Sequence, residues 1–126
     1  MASDEDFNFL TYIGTEVEYY NEQEAVLSID LQTHHQQHLG YVHGGVISTI
    51  ADNTGWFVVK PHLEKGQTVV TQELSINYLR PARGAKLRCI GKMIKKGQKN
   101  VFVSSEVFCD DVLVAFSTSH LAILDY

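Results

Sequence analysis

The sequence predicts a single α+β domain in which one long helix lies against a mainly antiparallel sheet. Three observations carry that prediction. Only one stretch, Gly44 to about Lys60, repeats apolar residues at three- and four-residue steps over several turns. Most of the remaining apolar residues alternate between turn signals, as strands do. A chain of 126 residues is long enough for one core and too short for two ordinary ones, so residues 1–126 are read as one domain.

The elements follow in order. Met1-Ala-Ser-Asp-Glu-Asp6 is acidic, where a secretory leader would be basic and then apolar. Phe7 to Ile13 is short and apolar, a helical turn or two lying over the body. Thr15 to Tyr20 and Ala25 to Leu31 read as two strands around Asn21-Glu22, a hairpin. A polar stretch with His34, His35 and His38 reads as a solvated loop. In the long helix, Val46, Ile47, Ile50, Ala51, Thr54, Phe57 and Val58 form the buried stripe. Gly45, Ser48, Asp52 and Gly55 form a small, polar opposite face. Pro61 ends it, because a proline pushes its predecessor out of the α region. Thr68 to Leu79 alternates, with Val70, Leu74, Ile76 and Tyr78 on one face. Pro81 and Gly84 mark a turn. Lys86 to Lys96 and Lys99 to Cys109 flank Gly97-Gln98 as a tight hairpin, and Val112 to Leu124 follows Asp110-Asp111. One helix cannot cover such a sheet, so a homo-oligomer is expected, a dimer or a dimer of dimers.

Composition narrows the function. Charged residues make up 20% and hydrophobic ones 44%, an ordinary globular balance, and no apolar run is long enough to span a bilayer. Cys89 and Cys109 have neither metal-type nor redox-type spacing, which suggests a reducing, cytoplasmic setting. A net charge of -5 argues against nucleic-acid binding. Yet eight of the ten basic residues lie between Arg80 and Lys99: Arg80, Arg83, Lys86, Arg88, Lys92, Lys95, Lys96 and Lys99. They are read equally as solvated strand edges or as a docking surface for a small polyanion.

The informative stretch runs from Gln37 through His43-Gly44-Gly45 to Ala51-Asp52 and Gly55. Two glycines open a helix whose first-turn N–H groups have no helical partner, a ready cradle for an oxyanion. A carboxylate follows on the small-residue face. On spacing alone, a glycine-rich loop and a solvent-facing aspartate is the better reading. The whole pattern changes that. It resembles the His-Gly-Gly, six residues, Ala-Asp motif of hot-dog thioesterases related to phenylacetyl-CoA thioesterase. The resemblance continues into Ser75-Ile-Asn-Tyr-Leu-Arg-Pro-Ala82 and the element order, nearly the entire chain.

That resemblance implies a hot-dog fold, in which the antiparallel sheet wraps around the long central helix. It also implies an acyl-CoA thioesterase needing no cofactor or metal. The backbone N–H of Gly44 would polarise the thioester carbonyl. Asp52 would act as general base on water or as nucleophile. The amide of Gln37 would position substrate or water, and Thr71 would orient the attacking water. Simple alternation, however, turns Thr71 away from the Val70–Leu74 face, so its direction depends on a bulge or on twist. His43 would organise the turn before the helix or contact the thioester region. A thiol leaves with a pKa of roughly 8.5, judged from cysteine, so little acid assistance is needed. Lys95, Lys96 and Lys99, or Arg80 and Arg83, would meet the phosphates of coenzyme A.

Competing readings are a non-catalytic acyl-CoA-binding hot-dog protein and a hot-dog dehydratase or hydratase. The latter normally pairs a His with an acid in a different motif. No Gly-x-Ser-x-Gly elbow occurs, which argues against a serine hydrolase. Tyr41, Trp56, Phe57 and Tyr78 are read as core, some of them lining an acyl tunnel. Gly44 and Asp52 lie eight residues apart on one helix, about 12 Å at 1.5 Å per residue, so each site is expected to draw on two chains.

Overall fold

The computed structural model describes residues 8–126. Phe7, expected at the start of the first helix, lies outside them. The short helix α1 spans Phe9–Ile13. Asn8 caps it by accepting from the N–H groups of Leu10 and Thr11, and Gly14 ends it at φ 82°. The strands are β1 (Thr15–Tyr20), β2 (Glu24–Asp30), β3 (Gln67–Tyr78), β4 (Lys86–Lys96), β5 (Asn100–Cys109) and β6 (Val112–Asp125). The long helix α2 spans Gly44–Val59, and a turn of 3₁₀ helix at Lys60–His62 carries Pro61.

All six strands form one antiparallel sheet in the order β1-β2-β4-β5-β6-β3, and α2 lies across one face. The last four strands are consecutive in the chain but not in the sheet. After β3 the chain passes through Pro81 and Gly84 and enters the sheet beside β2, while β3 becomes an edge strand against β6. Asp110 and Asp111 turn β5 into β6 with φ of 46° and 68°, the left-handed pair that a two-residue hairpin favours. No helix among the described residues is long and apolar enough to cross a membrane.

The helix buries Ile47, Ile50, Ala51, Thr54, Val58 and Val59 against inward residues of the sheet such as Leu27, Leu87, Cys89, Val103 and Leu121. Full burial of a side chain like Ile50 contributes about 1.5–3 kcal/mol. Gly55, expected on the polar face, is instead buried against Ser119 and Leu121. A Cβ there would meet Ser119 Oγ at 3.2 Å. Both cysteines are buried free thiols, and burial pushes that of Cys89 up to about 12.

Helix and sheet come close together at Gly91 of β4. A Cβ there would lie 2.6 Å from Thr54 Cγ2 and 3.0 Å from Val58 Cγ2. The missing side chain is therefore a notch into which α2 settles. Gly91→Ala is expected to lower stability by about 1–3 kcal/mol through overpacking, seen as a lower urea midpoint at unchanged slope. A midpoint equal to wild type would show that the helix shifts freely.

The opposite sheet face and the β3 edge leave apolar side chains uncovered. Phe102, Phe116, Val70, Tyr78 and Leu79 are each at least 41% exposed. Val70 departs from the sequence expectation, whereas Tyr78 stays on the helix-facing side with Leu74 and Ile76 and reaches α2. A bulge between Thr71 and Glu73 leaves Gln72 unpaired and reverses the alternation within β3. Val69 and Thr71 therefore share the helix-facing side with Leu74 and Ile76, and Val70 faces outward.

Candidate active site

The expected site residues fall into two clusters at opposite ends of the Gly44–Asp52 segment. The first surrounds the start of α2. His43 is its N-cap, and its Nδ1 accepts the N–H of Gly45 at 2.8 Å. A Cβ on Gly45 would sit 3.0 Å from that Nδ1, which explains the glycine. The acceptor role places the proton of a neutral His43 on Nε2 and occupies the nitrogen that a general base would use. The carbonyl of His43 accepts from Val46 and Ile47, whereas no described acceptor takes the N–H of Gly44. Gly44 thus presents the open donor that an oxyanion needs.

Gln37 lies in the loop that precedes the helix. Its Oε1 accepts from the N–H groups of Leu39 (2.5 Å) and Tyr41 (3.3 Å), so its amide NH₂ is the end left to donate. Gln37, Gly44, Tyr78 and Arg80 line one cleft of about 460 Å³. Arg83 is spent on the loop: it donates to the carbonyl of Leu39 at 3.0 Å and lies over the Tyr41 ring.

The second cluster surrounds Asp52. Thr71 Oγ1 donates to Asp52 Oδ1 at 2.7 Å, an orientation that the β3 bulge makes available. The other carboxylate oxygen has no hydrogen bond among the described residues. A pocket of about 290 Å³ opens beside the pair, walled by Asn8, Leu10, Asn53, Trp56 and Phe57. Trp56 and Phe57, read as core or tunnel, are half-buried walls in edge-on contact at 5.1 Å.

The basic residues divide. Arg80 borders the Gly44 cleft, while Arg88 pairs with Glu18 at 3.2 Å on the far side of the sheet. Lys96 pairs across β5 and β6 with the row that ends at Thr71, by way of Val101 and Leu121. Three strand spacings of about 4.8 Å put its backbone about 14 Å from that of Thr71. The Lys95–Lys99 hairpin therefore flanks the Asp52 end and not the Gly44 end.

The histidine stretch is not a wholly solvated loop. His35 is buried, its Nδ1 accepts the N–H of Gln32 at 2.8 Å and its Nε2 bonds the carbonyl of Ile13 at 2.6 Å. With both nitrogens engaged, the ring ties the end of α1 to the loop carrying Gln37. Among the described residues no His, Cys, Asp or Glu group gathers to hold a metal. Sequence reasoning also missed Asn53, whose buried Nδ2 has no partner among the described residues. Its only signal was a place next to Asp52. Tyr78, read as core, is 50% exposed at the mouth of the Gly44 cleft.

Comparison with known proteins bears on what the arrangement does. A family model described as the thioesterase superfamily matches residues 39–116. A Halobacterium salinarum protein described as a predicted esterase is 36% identical over 85 residues, 64% of this chain. The aligned stretch is 56% of that relative, so the chain spans little more than half its length. A thioesterase family protein of Silicibacter pomeroyi superposes with a TM-score of 0.88 at 21% identity, covering 93% of this chain and 89% of the other. A Bacillus halodurans protein solved with CoA superposes at 0.76 with 29% identity, over 79% of this chain and 66% of its own. The shared architecture is the hot-dog fold, as the motif led us to expect.

Proposed function

We propose that this chain, which belongs to the thioesterase superfamily, hydrolyses an acyl- or aryl-coenzyme A thioester to the free acid and coenzyme A. The observation that carries the reading is the Asp52–Thr71 pair beside an open pocket, on the helix whose first N–H is uncommitted. The CoA held by the Bacillus halodurans relative supports the choice of thioester.

The chemistry asks little of the protein. The thioester oxygen sits against the Gly44 N–H, joined by the free NH₂ of Gln37. Asp52 either takes a proton from a water that attacks the carbonyl carbon or attacks it directly and is released by water. Thr71 fixes one carboxylate oxygen and leaves the other for that task. The carbon–sulfur bond breaks as the tetrahedral intermediate collapses, and the sulfur leaves as thiolate, then takes the proton held by Asp52 in the general-base route or one from water in the nucleophilic route. Removal of a single oxyanion donor costs about 2.7–4 kcal/mol in other hydrolases, so one N–H is a substantial part of the catalysis. The two clusters lie too far apart on one helix to act on one carbonyl. The site therefore joins Gly44 of one chain to Asp52 of a second, in a dimer that pairs again into a tetramer. The buried free thiols suit the reducing cytoplasm.

Release of free thiol from a panel of acyl- and aryl-CoAs tests the reading. Turnover with at least one of them is expected, and tight binding to all of them without turnover would favour a binding protein. Label found in Asp52 after a single turnover in H₂¹⁸O would establish the nucleophilic role, because general-base catalysis delivers the water oxygen to the product acid alone. Neutralising Lys95, Lys96 and Lys99 together is expected to raise KM for the CoA thioester about ten-fold and to spare the acyl-pantetheine analogue, which lacks the nucleotide phosphates. Equal effects on both would remove these lysines from the phosphate site.

A further inference from the structure

We infer that Tyr78 is a positioning residue that, with Ser48 and His43, clamps the Gly44–Gly45 peptide and so aims the Gly44 N–H. The inference rests on the thioester-hydrolase reading and adds to it a residue that never touches the reacting atoms.

The peptide unit between Gly44 and Gly45 has two polar ends, and a side chain holds each. At one end Tyr78 Oη donates to the Gly44 carbonyl at 3.0 Å. At the other, the Gly45 N–H donates to His43 Nδ1 at 2.8 Å. Tyrosine has one hydroxyl hydrogen, already given to Gly44. The hydrogen bond between Ser48 and Tyr78 is then donated by Ser48, one turn along the helix. The preceding peptide is held by its carbonyl alone, which accepts from Val46 and Ile47. Two consecutive peptide planes are thus fixed, and of their four polar ends only the Gly44 N–H is open.

The His43 half of this bracing is an ordinary N-cap, while the Tyr78 half comes from a separate element. Intrahelical bonds do not reach the first N–H groups, and two adjacent glycines are the freest backbone a chain can have. An oxyanion donor, by contrast, acts through being held in place before the charge develops. The Tyr78 ring also covers the turn: a Cβ on Gly44 would touch its Cε1, Cζ and Oη at 3.5 Å. Tyr78 reaches this point from β3, the strand that carries Thr71, so one strand supports both clusters.

The test compares wild type with Tyr78→Phe, which keeps the ring and loses the hydroxyl, and with Ser48→Ala, which leaves the ring untouched. Two measurements are made on each: kcat and KM for the best thioester, and hydrogen exchange of the Gly45 amide by NMR. We expect faster Gly45 exchange in both variants, kcat lowered about ten-fold in Tyr78→Phe, KM within two-fold and an unchanged melting temperature. Unchanged exchange would overturn the clamp. Faster exchange at wild-type kcat, or a rise in KM alone, would overturn the positioning role. If wild type hydrolyses no thioester, the functional reading fails by itself, and the exchange comparison still decides whether the clamp exists.

Discussion

Asp52→Asn is expected to fold as the wild type does and to lose about three orders of magnitude in kcat, within the range that loss of a general base costs. The substitution keeps the shape of the side chain and the oxygen that accepts from Thr71 Oγ1. What it removes is the second carboxylate oxygen, the one without a partner, replaced by an NH₂ that can neither take a proton nor attack a carbonyl. Half-buried at the pocket wall, Asp52 makes no other hydrogen bond or ion pair among the described residues. Turnover near wild type in a variant with unaltered melting temperature and circular dichroism would move the chemistry elsewhere. Thr71→Ala should cost less, about ten-fold, since the carboxylate survives and loses only its orienting partner.

The second large effect concerns how many chains make a site. Gly44 and Asp52 stand about 12 Å apart along α2. A reacting carbonyl must lie about 3 Å from its oxyanion donor and about 3–3.5 Å from the attacking atom. A single helix does not meet both demands, whereas two helices packed antiparallel about a two-fold axis do. Gln37 shares the Gly44 cleft and so should act in trans to Asp52. Inactive Asp52→Asn and inactive Gln37→Ala chains, refolded as an equal mixture, should therefore recover activity. In a heterodimer one site collects both lesions and the other none, so roughly a quarter of all sites should be intact under closed two-fold pairing. Chains proven to exchange by mass spectrometry, yet showing no recovery, would return the site to a single subunit.

What could be read from the sequence follows the reach of the interactions. The helix over Gly44–Val59 and the strands were legible because periodicity is local, and observed ends differ from expected ones by only a few residues. The family motif rested on residues adjacent in sequence. The sheet order was not legible, because the pairing of β3 with β6 depends on contacts between distant segments. The direction of Thr71 hung on one unpaired residue, Gln72, and a bulge leaves no pattern in composition. The polar tract around His35 gave no hint of burial, since the partners that satisfy the ring are backbone groups of Ile13 and Gln32. Tyr78 looked like a core aromatic by alternation. Its hydroxyl finds Gly44 and Ser48 only because the fold brings the start of α2 beside that end of β3.

The place of β3 beside β6 also sets the order in which a growing chain can finish itself. Gln67–Tyr78 leaves the ribosome well before Val112–Asp125, the strand that will pair with it. At about 5–20 residues per second the interval is on the order of a few seconds. Through that time a twelve-residue strand carrying a single charge, Glu73, stands with both edges open. Open edges of that kind template pairing with any extended neighbour. Loss of newly made protein should therefore track the rate at which β6 is delivered, and a synonymous slow codon between Tyr78 and Val112 should lower soluble yield without changing one residue of the product.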